Sequence, residues 1–255
     1  MSTVPIERAA TAAAQAVELT KVYGEGETRV TALNAVTVGF ERGRFSAIMG
    51  PSGSGKSTLM HCLAGLDSIT SGSAFIGDIE INRLDDKALT RLRRESVGFV
   101  FQSFNLLPTL TAIENITLPM DIAGRKADRE WLDIVIETVN LRDRLGHKPT
   151  ELSGGQQQRV ACARALASKP SIIFADEPTG NLDSRSGAEV LGLLRRSVAE
   201  MGQTIVMVTH DPAAASYADR VVFLSDGRVI DELRDPTQSI VFERMAKLET
   251  AGKAS

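Results

Sequence analysis

The chain has 255 residues, of which 43% are hydrophobic, so it can bury a core large enough for one α/β domain or two smaller ones. Its formal net charge of -3 argues against nucleic acid as a partner, because affinity for a phosphate backbone requires a basic surface. No run of about 20 consecutive apolar residues occurs, so no membrane-spanning helix is predicted. Cys62 and Cys162 lack metal-ligand spacing and are predicted to be reduced core residues of an intracellular protein.

In chain order, the sequence predicts an extension, one large domain and a tail. Residues 1–15 are expected to be a mobile or weakly helical extension without the features of a secretory signal. Residues 16–235 are the predicted domain, and residues 236–255 carry no recognised motif. Strand patterns with turn signals predict antiparallel strands at 16–22, 35–40 and 73–76, and a hairpin of 221–224 with 229–230. We expect these strands to form a β-rich subdomain beside the core.

Four other segments are apolar almost throughout: Phe45–Met49, Val97–Phe101, 171–175 and 204–209. Continuous apolar character is typical of strands that are buried on both faces of a parallel sheet, so the predicted fold class is α/β. The residues that follow these strands are Gly50, Gln102, Asp176 and His210. Ligands of parallel α/β sheets bind beyond the carboxyl ends of the strands, so we expect these four positions to meet at one site.

The segment after the first buried strand matches the phosphate-binding pattern G-x-x-x-x-G-K-[ST]. Its residues, with the one that follows, are Gly50, Pro51, Ser52, Gly53, Ser54, Gly55, Lys56, Ser57 and Thr58. The glycines let backbone amides face the phosphates, Lys56 can reach the terminal phosphate, and the Ser57 hydroxyl can bind Mg²⁺. The helix formers that come next add the partial positive charge of a helix N-terminus. ATP and Mg²⁺ are therefore the predicted ligands, and a plain glycine-rich turn is the alternative.

Two acidic residues follow the third buried strand. Asp176 lies where a second ligand would meet the Mg²⁺ of the P-loop, and Glu177 is placed to activate the attacking water as a general base. A helix N-cap or a turn is the alternative role for either acid. His210 ends the next strand and can hydrogen-bond the terminal phosphate, although a lone histidine at a strand end is as often structural. His61 and His147 have no such context and are interpreted as incidental.

A helical insertion is predicted at about residues 103–160. Leu132, Val135, Ile136 and Val139 follow the spacing of one helix face. Trp131, at the edge of this stretch, is interpreted as a packing residue.

A second helix start with free amides is predicted near the end of this insertion. Ser153 and Gln156 fit a capping box before the helical stretch 157–167, and Gly154 and Gly155 would leave backbone amides exposed there. Such a helix end binds anions, but the P-loop already serves the phosphates on its own side. The second end therefore needs another nucleotide or the far side of the same one. An ordinary capped helix is the alternative.

The pentapeptide Leu152-Ser153-Gly154-Gly155-Gln156, together with the P-loop, resembles the ATPase subunit of ABC (ATP-binding cassette) transporters. The resemblance covers about residues 16–235. It implies a P-loop NTPase core with a mainly parallel sheet, an antiparallel β subdomain and an inserted α-helical subdomain. In that family two subunits face head to tail, and each signature pentapeptide covers the ATP that the other subunit holds. A second copy of the chain is thus an implied partner.

The resemblance also implies roles for individual residues. Gln102 matches the glutamine that ligates Mg²⁺ and reports the nucleotide state to the helical subdomain. Tyr23 resembles the aromatic residue that stacks on adenine, with packing as its alternative role. His210 resembles the switch histidine of the family. The run Gly180-Asn181-Leu182-Asp183 is similar to the D-loop, in which Asp183 crosses the dimer seam, but it departs from the commoner Ser-Ala-Leu-Asp form.

The apolar loop Phe104 to Leu107, with Leu110, suggests a docking surface, although a loop folded back onto its own core is the alternative. In transporters of this family a membrane permease docks here, so the resemblance implies an integral-membrane permease near Gln102 to Leu110. It also implies a location at the cytoplasmic face of the inner or plasma membrane, through that permease.

Val100 to Pro108 and Pro178 to Asp183 look like the subgroup of lipoprotein-releasing, macrolide-export, antimicrobial-peptide-resistance and cell-division ATPases. A transport motor for export or extracytoplasmic mechanical work is the function that this implies. Soluble chromosome and repair ATPases hold a long coiled coil between the P-loop and the signature, and the stretch from Lys56 to Ser153 is too short for one. A permease-coupled ATPase that regulates cell-wall or cell-division enzymes stays as the alternative.

Overall fold

The computed structural model describes residues 12–252, and within that range it contains ten strands and eight α-helices. In chain order they are β1 (Ala12–Tyr23), β2 (Val30–Glu41), β3 (Phe45–Met49), α1 (Lys56–Leu63), β4 (Ser71–Ile76), β5 (Ile79–Glu80), α2 (Asp86–Ser96), β6 (Val97–Phe101), α3 (Ala112–Ile122), α4 (Arg129–Thr138), α5 (Gly154–Ala167), β7 (Ile172–Asp176), α6 (Ser184–Met201), β8 (Ile205–Val208), α7 (Pro212–Ala215), β9 (Arg220–Ser225), β10 (Arg228–Arg234) and α8 (Gln238–Gly252). Short 3₁₀ helices lie at Gly26–Thr28, Ile81–Arg83, Arg142–Arg144 and Pro149–Glu151.

The central sheet has the strand order β10-β9-β3-β8-β7-β6. Its strands are parallel except for β10, which pairs antiparallel with β9. All of β3 is buried, as its continuous apolar character predicts. The third and fourth predicted strands are confirmed with small shifts, so Asp176 is the last residue of β7 rather than the residue after it. The polar positions of the four strands therefore share one edge of the sheet.

The hairpin of β9 and β10 corrects one prediction. The sequence pattern predicts that it belongs to a β-rich subdomain beside the core, but β9 pairs parallel with β3 and extends the central sheet. The reason is burial on both faces, because Val221, Val222, Phe223 and Leu224 are all fully buried.

The second sheet is antiparallel, with the order β2-β1-β4-β5. Its first strand begins at Ala12, earlier than the predicted domain start at residue 16, because Ala14 and Gln15 pair with Ile76 and Phe75 of β4. Residues 1–11 of the predicted extension lie outside the described residues. One apolar cluster joins this sheet to α1 and to one face of the central sheet. The helix that follows the P-loop is therefore packed between two sheets.

The helices α3 to α6 contribute to a second apolar cluster on the other face of the central sheet. In α4, Val135 and Ile136 are buried, and Val139 is buried at the C-cap, as the spacing predicts. Trp131 packs against this cluster, so its predicted packing role is confirmed, and its Nε1 donates to the backbone oxygen of Leu166 at 3.0 Å.

The predicted tail at 236–255 is largely the helix α8. Val241 and Met245 of this helix are buried in the same cluster as the central helices. The chain from residue 238 to 252 is thus part of the folded domain, and residues 253–255 lie outside the described range.

Within residues 12–252, no helix combines the length and the apolar character needed to cross a bilayer. Cys62 and Cys162 are free and buried, as predicted. Burial raises the pKa of each thiol to about 12.

Candidate nucleotide-binding and hydrolysis site

The P-loop connects the carboxyl end of β3 to the first turn of α1. Gly55 is the N-cap of α1 with a φ of 96°, a left-handed conformation that favours glycine. A Cβ at this position would collide with the backbone oxygen of Ala32 in β2. On the other side, Gly227 N in the β9–β10 turn donates to Ser54 O at 3.1 Å. Both sheets therefore hold the loop in place.

Two side chains of the P-loop fit an anionic ligand. Lys56 Nζ donates to two backbone oxygens of the loop at 2.9 and 2.7 Å, which holds the ammonium group against the loop. Burial lowers the pKa of Lys56, and the carboxylates of Glu177 and Asp176 oppose that shift. The Ser54 hydroxyl is buried and makes no hydrogen bond within the described part of the chain. An unsatisfied buried hydroxyl is unusual, and phosphate oxygens would supply its acceptor.

Ser57 and Asp176 meet beside the P-loop. Ser57 Oγ donates to Asp176 Oδ1 at 3.3 Å. A hydroxyl and a carboxylate are hard oxygen donors, and Mg²⁺ uses one or two carboxylates together with phosphate and water oxygens. The residues present therefore fit Mg²⁺ with a bound nucleotide. His61, interpreted as incidental, lies here too, with Nε2 3.8 Å from Asp176 Oδ2.

Glu177 and His210 form a direct pair at the ends of β7 and β8. Glu177 Oε1 and His210 Nδ1 are 2.8 Å apart. Glu177 has a φ of 46°, an uncommon conformation for a residue other than glycine that costs on the order of 1–3 kcal/mol. Its backbone N–H donates to Val208 O at 2.9 Å, which helps to hold this conformation. The Glu177 side chain is 20% exposed and that of His210 is 73% exposed, so the pair links a sheltered carboxylate to a surface imidazole.

Gln102 lies at the end of β6 and contacts the chain segment that follows Glu177. Its Nε2 donates to Asn181 Oδ1 at 3.1 Å, and Asn181 Nδ2 donates to the Gln102 backbone oxygen at 3.0 Å. No hydrogen bond joins Gln102 to Ser57 or Asp176 among the described residues. Its role as a metal ligand therefore stays a prediction.

Tyr23, at the end of β1, belongs to a polar network near the start of α1. Its hydroxyl donates to Asp67 Oδ2 at 2.5 Å, and Lys21 Nζ donates to Asp67 Oδ1 at 2.6 Å. Burial and the Asp67 carboxylate raise the pKa of Tyr23, while the hydroxyl of Thr58 in α1 opposes the shift. The residue is 41% exposed. Lys21 Nζ lies over the ring, 4.7 Å from its centroid. The ring is thus anchored at its hydroxyl and on one face, and stacking on adenine stays a prediction.

The signature pentapeptide begins α5 as its sequence predicts. Ser153 is the N-cap, and Gln156 N donates to Ser153 Oγ at 3.3 Å while Ser153 N donates to Gln156 Oε1 at 2.8 Å. This reciprocal pair is a capping box. Gly154 and Gly155 form the first turn, where backbone amides have no partner in the helix. Among the described residues, no hydrogen bond connects the stretch 153–156 to the P-loop of the same chain.

The predicted D-loop precedes α6. Asp183 is the N-cap of that helix and accepts hydrogen bonds from Arg185 N and Ser186 N at 3.1 and 3.0 Å. The hydrogen bond from the backbone of Ser186 holds the pKa of Asp183 below its ordinary value. Helix capping is thus the role of Asp183 that is visible in the single chain. A Cβ on Gly154 would lie 3.5 Å from Leu182 Cδ2, and one on Gly155 would lie 3.0 Å from Ser186 Cβ. The signature therefore packs closely against the D-loop and the first turn of α6.

The predicted docking loop is fixed to the domain through its backbone and exposes one apolar side chain to solvent. Buried Asn115 bonds to the loop backbone, accepting from Leu107 N at 2.8 Å and donating to the backbone oxygens of Leu107 and Leu110 at 3.1 and 3.2 Å. Arg164 in α5 donates to the backbone oxygens of Phe104 and Asn105 at 2.9 and 2.5 Å. The Leu107 side chain is left 45% exposed. The loop backbone therefore folds onto the core, as the alternative expects, while one apolar side chain faces outward. The docking surface stays a prediction.

The parallel central sheet, the P-loop after its first parallel strand and the inserted helices define a P-loop nucleotide-binding domain. A family model described as "ABC transporter" matches residues 33–180. The chain therefore belongs to the ABC transporter family, and its fold is that of the family's ATP-binding cassette.

Two curated relatives are ATP-binding proteins of this family. An uncharacterised ABC transporter ATP-binding protein of Methanocaldococcus jannaschii is 47% identical over 218 residues, which cover 83% of this chain and 92% of the relative. The lipoprotein-releasing system ATP-binding protein LolD of Geobacter metallireducens is 48% identical over 222 residues, which cover 85% of this chain and 97% of the relative. The predicted family and subgroup resemblance are confirmed.

Solved structures give the same result. The dimeric structure of MJ0796, an ABC transporter cassette, has a TM-score of 0.78 at 44% identity and covers 88% of this chain and 99% of that one. A second structure of that cassette, with the same scores, is a dimeric post-hydrolysis state bound to ADP and Pi. The predicted fold class is confirmed.

Sequence reasoning missed several residues that organise the site. Gln158, fully buried in α5, donates to Pro178 O at 2.6 Å and to Phe101 O at 3.2 Å, and so ties the ends of β6 and β7 together. One signal was available, because Gln158 shares a helix face with buried Ala161 and Cys162. Asp67 carried no local signal of this kind, and the D-loop resemblance located Asn181 in a motif without showing its bonds.

Proposed function

We propose that this protein is the ATP-hydrolysing motor subunit of an ABC transporter, working as a dimer with separate membrane permease subunits. The observation that carries the proposal is the pairing of Glu177 with His210 beside the Ser57–Asp176 contact, all at the carboxyl edge of one sheet. A carboxylate, an imidazole and a metal-binding hydroxyl next to a P-loop are groups that together can carry out ATP hydrolysis.

Each group has a defined task in the proposed reaction. The P-loop amides and Lys56 bind the phosphates, and Ser57 with Asp176 would hold Mg²⁺, which supplies charge neutralisation to the polyphosphate when bound. Glu177 accepts the proton of the attacking water as the general base. His210, bonded to Glu177, orients that carboxylate and would hydrogen-bond the terminal phosphate. The ring of Tyr23 stacks on the adenine.

The second copy completes the site. The free amides at the capped start of α5 form an anion-binding end that makes no hydrogen bond with the P-loop of its own chain. In a head-to-tail dimer, Ser153 to Gln156 would face the ATP of the partner and Asp183 would lie at the seam. The dimeric structure of the 44% identical cassette supports a dimer.

The permease is proposed to dock on the loop from Gln102 to Leu110. Leu107 supplies the exposed apolar side chain, and Asn115 and Arg164 hold the backbone beneath it. A fixed loop suits the transmission of movement, because it does not absorb the displacement by bending. Docking there would place the protein at the cytoplasmic face of the membrane.

The similarity to lipoprotein-releasing ATPases favours export or extracytoplasmic mechanical work as the task that the motor powers.

Glu177→Gln tests the hydrolytic proposal. The variant should bind ATP, hydrolyse it at least about a hundredfold more slowly, since general-base catalysis contributes roughly that much or more, and accumulate a dimer with ATP. Glu130→Gln, on the exposed first turn of α4, is the matched control and should behave as the unmodified protein. Near-normal phosphate release by Glu177→Gln would refute the general-base role. Purifying the tagged variant from membranes with ATP and identifying what accompanies it would test the permease.

A further inference from the structure

Gln102 and Asn181 lie 79 positions apart in the chain and form a closed pair of hydrogen bonds. One bond joins the two side chains at 3.1 Å, and the other joins the Asn181 side chain to the Gln102 backbone oxygen at 3.0 Å. We call this pair the amide clasp. It connects the glutamine at the end of β6 to the D-loop of the same chain.

The chemistry of the clasp fixes the orientation of both side-chain amides. A backbone carbonyl oxygen can only accept, so the Asn181 atom that contacts Gln102 O must be the nitrogen Nδ2. The other branch of Asn181 is then the oxygen Oδ1, which also can only accept, so the Gln102 atom that contacts it must be Nε2. The Gln102 Oε1 atom is therefore on the branch directed away from Asn181. Oε1 is also the only side-chain atom of Gln102 that can bind a cation.

Gly180 leaves the space that the clasp needs. A Cβ at this position would lie 2.7 Å from Gln102 Nε2 and 3.0 Å from its Cδ. Gly180 does not have a positive φ, so backbone conformation does not require glycine here. Glycine is required at position 180 because the Gln102 side chain approaches so closely. Gly180 and Asn181, the two residues that differ from the Ser-Ala-Leu-Asp form, thus work together. Gly180 leaves room for the Gln102 side-chain amide, and Asn181 binds it.

The clasp closes on a rigid base. Buried Gln158 bonds to the backbone oxygens of Phe101 and Pro178, the residue before Gln102 and the residue after Glu177. Gly180 N also donates to Glu177 O at 3.0 Å. The two segments that carry the clasp are therefore held at a fixed separation next to the proposed general base.

We propose that Asn181 is a positioning residue that orients the Gln102 amide, with Gly180 providing its space, so that Oε1 is presented for the cation of the nucleotide. This deepens the proposed function and rests on it, because Gln102 acts on Mg²⁺ only if the protein binds Mg²⁺ with ATP. Without Asn181 the amide can rotate by half a turn and offer Nε2 in place of Oε1.

The test is a binding experiment that requires no turnover. We compare the Kd of ATP with Mg²⁺ and with EDTA for the unmodified protein, Asn181→Ala, Gln102→Ala and the double variant. Asn181→Ala should reduce the Mg²⁺ enhancement of ATP affinity by about fivefold to tenfold, the effect of one or two hydrogen bonds, and leave the Kd in EDTA within about twofold. In the double variant, Asn181→Ala should add nothing to the effect of Gln102→Ala, because both act through one atom.

Gly180→Ala tests the same clasp without removing a polar group. It should reduce the Mg²⁺ enhancement as Asn181→Ala does, and it should have no further effect in the Gln102→Ala background. Gly192→Ala in α6 is the matched control, because its Cβ would meet Arg196 Nη1 at an ordinary 3.5 Å. Thermal unfolding midpoints of all variants check the fold.

The outcomes separate this inference from the function on which it depends. If the unmodified protein does not bind ATP, the proposed function is refuted and the positioning role with it. If it binds ATP but Mg²⁺ does not raise the affinity, the positioning role alone is refuted. If the enhancement is present and survives Asn181→Ala and Gly180→Ala, the motor proposal stands and the positioning role is refuted. Effects that add in the double variant also refute it, because they would show that Asn181 acts independently of Gln102.

Discussion

The proposed sharing of sites between two copies can be tested by mixing two inactive variants. Lys56→Ala removes the ammonium group of the P-loop, and Ser153→Arg places a large cation at the start of α5. The serine change removes one N-cap hydrogen bond, from Gln156 N at 3.3 Å, which is worth about 1 kcal/mol. For a chain of this size that lowers the unfolding midpoint by about 2–4 °C, so the variant should stay folded.

Each variant alone should be inactive, because every site of its dimer lacks either Lys56 or Ser153. In an equal mixture, half of the dimers combine one chain of each kind. One of the two sites in such a dimer has Lys56 from one chain and Ser153 from the other, and is complete. We therefore expect about one quarter of the unmodified activity from a symmetric two-chain assembly with independent sites.

The assay is phosphate release at saturating ATP after the two chains are expressed together with different tags. A chain that carries both changes, expressed with Lys56→Ala, is the control and should stay inactive, because no site can then be complete. Ser153→Arg by itself should bind ATP with near-normal affinity. A mixture as inactive as its components would refute the assignment of the signature to the partner's nucleotide.

Two further predictions concern the surface and the core. Leu107→Glu should release the protein from permease-containing membranes and leave the ATPase activity of the isolated protein within about twofold of the unmodified value. Ile134→Glu, at a similarly exposed position on α4, should stay bound to those membranes. Equal membrane retention of the two variants would refute the docking surface. Because burial raises the pKa of Cys62 and Cys162 to about 12, roughly one thiol in ten thousand is ionised at pH 8, so iodoacetamide should label neither in the folded protein and both in guanidinium. Stoichiometric labelling of the native chain would contradict that burial.

Features encoded by neighbouring residues were predictable from the sequence. The capping box of Ser153 and Gln156 is one, because its two hydrogen bonds span three positions. The P-loop between β3 and α1 is another, since the pattern itself specifies the turn and the helix. The buried strands also followed, because burial on both faces leaves a run of apolar residues.

Features that depend on which segments meet in space were not predictable. The β9–β10 hairpin has the same local pattern whether it joins the antiparallel sheet or the central sheet. Only the pairing of β9 with β3 decides which sheet it joins. The bonds of Asn181 to Gln102 and of Asp67 to Tyr23 link residues that are far apart in the chain, and no local pattern shows that these residues meet. His61 lies near Asp176 only because α1 and β7 pack at the same sheet edge.

The P-loop is held by residues that are synthesised long after it, Gly227 among them. Gly227 N bonds to Ser54 O, and Asn34 N bonds to Gly227 O at 2.8 Å, so three distant stretches of chain close around the loop. The strand before the loop, β3, also pairs on both sides with later strands, β8 and β9. During synthesis from the N-terminus, the loop is therefore made early but is framed only when the last strands leave the ribosome. We expect ATP to give no protection from proteolysis to chains that end before residue 227, and the molecule to become responsive to nucleotide late in its synthesis.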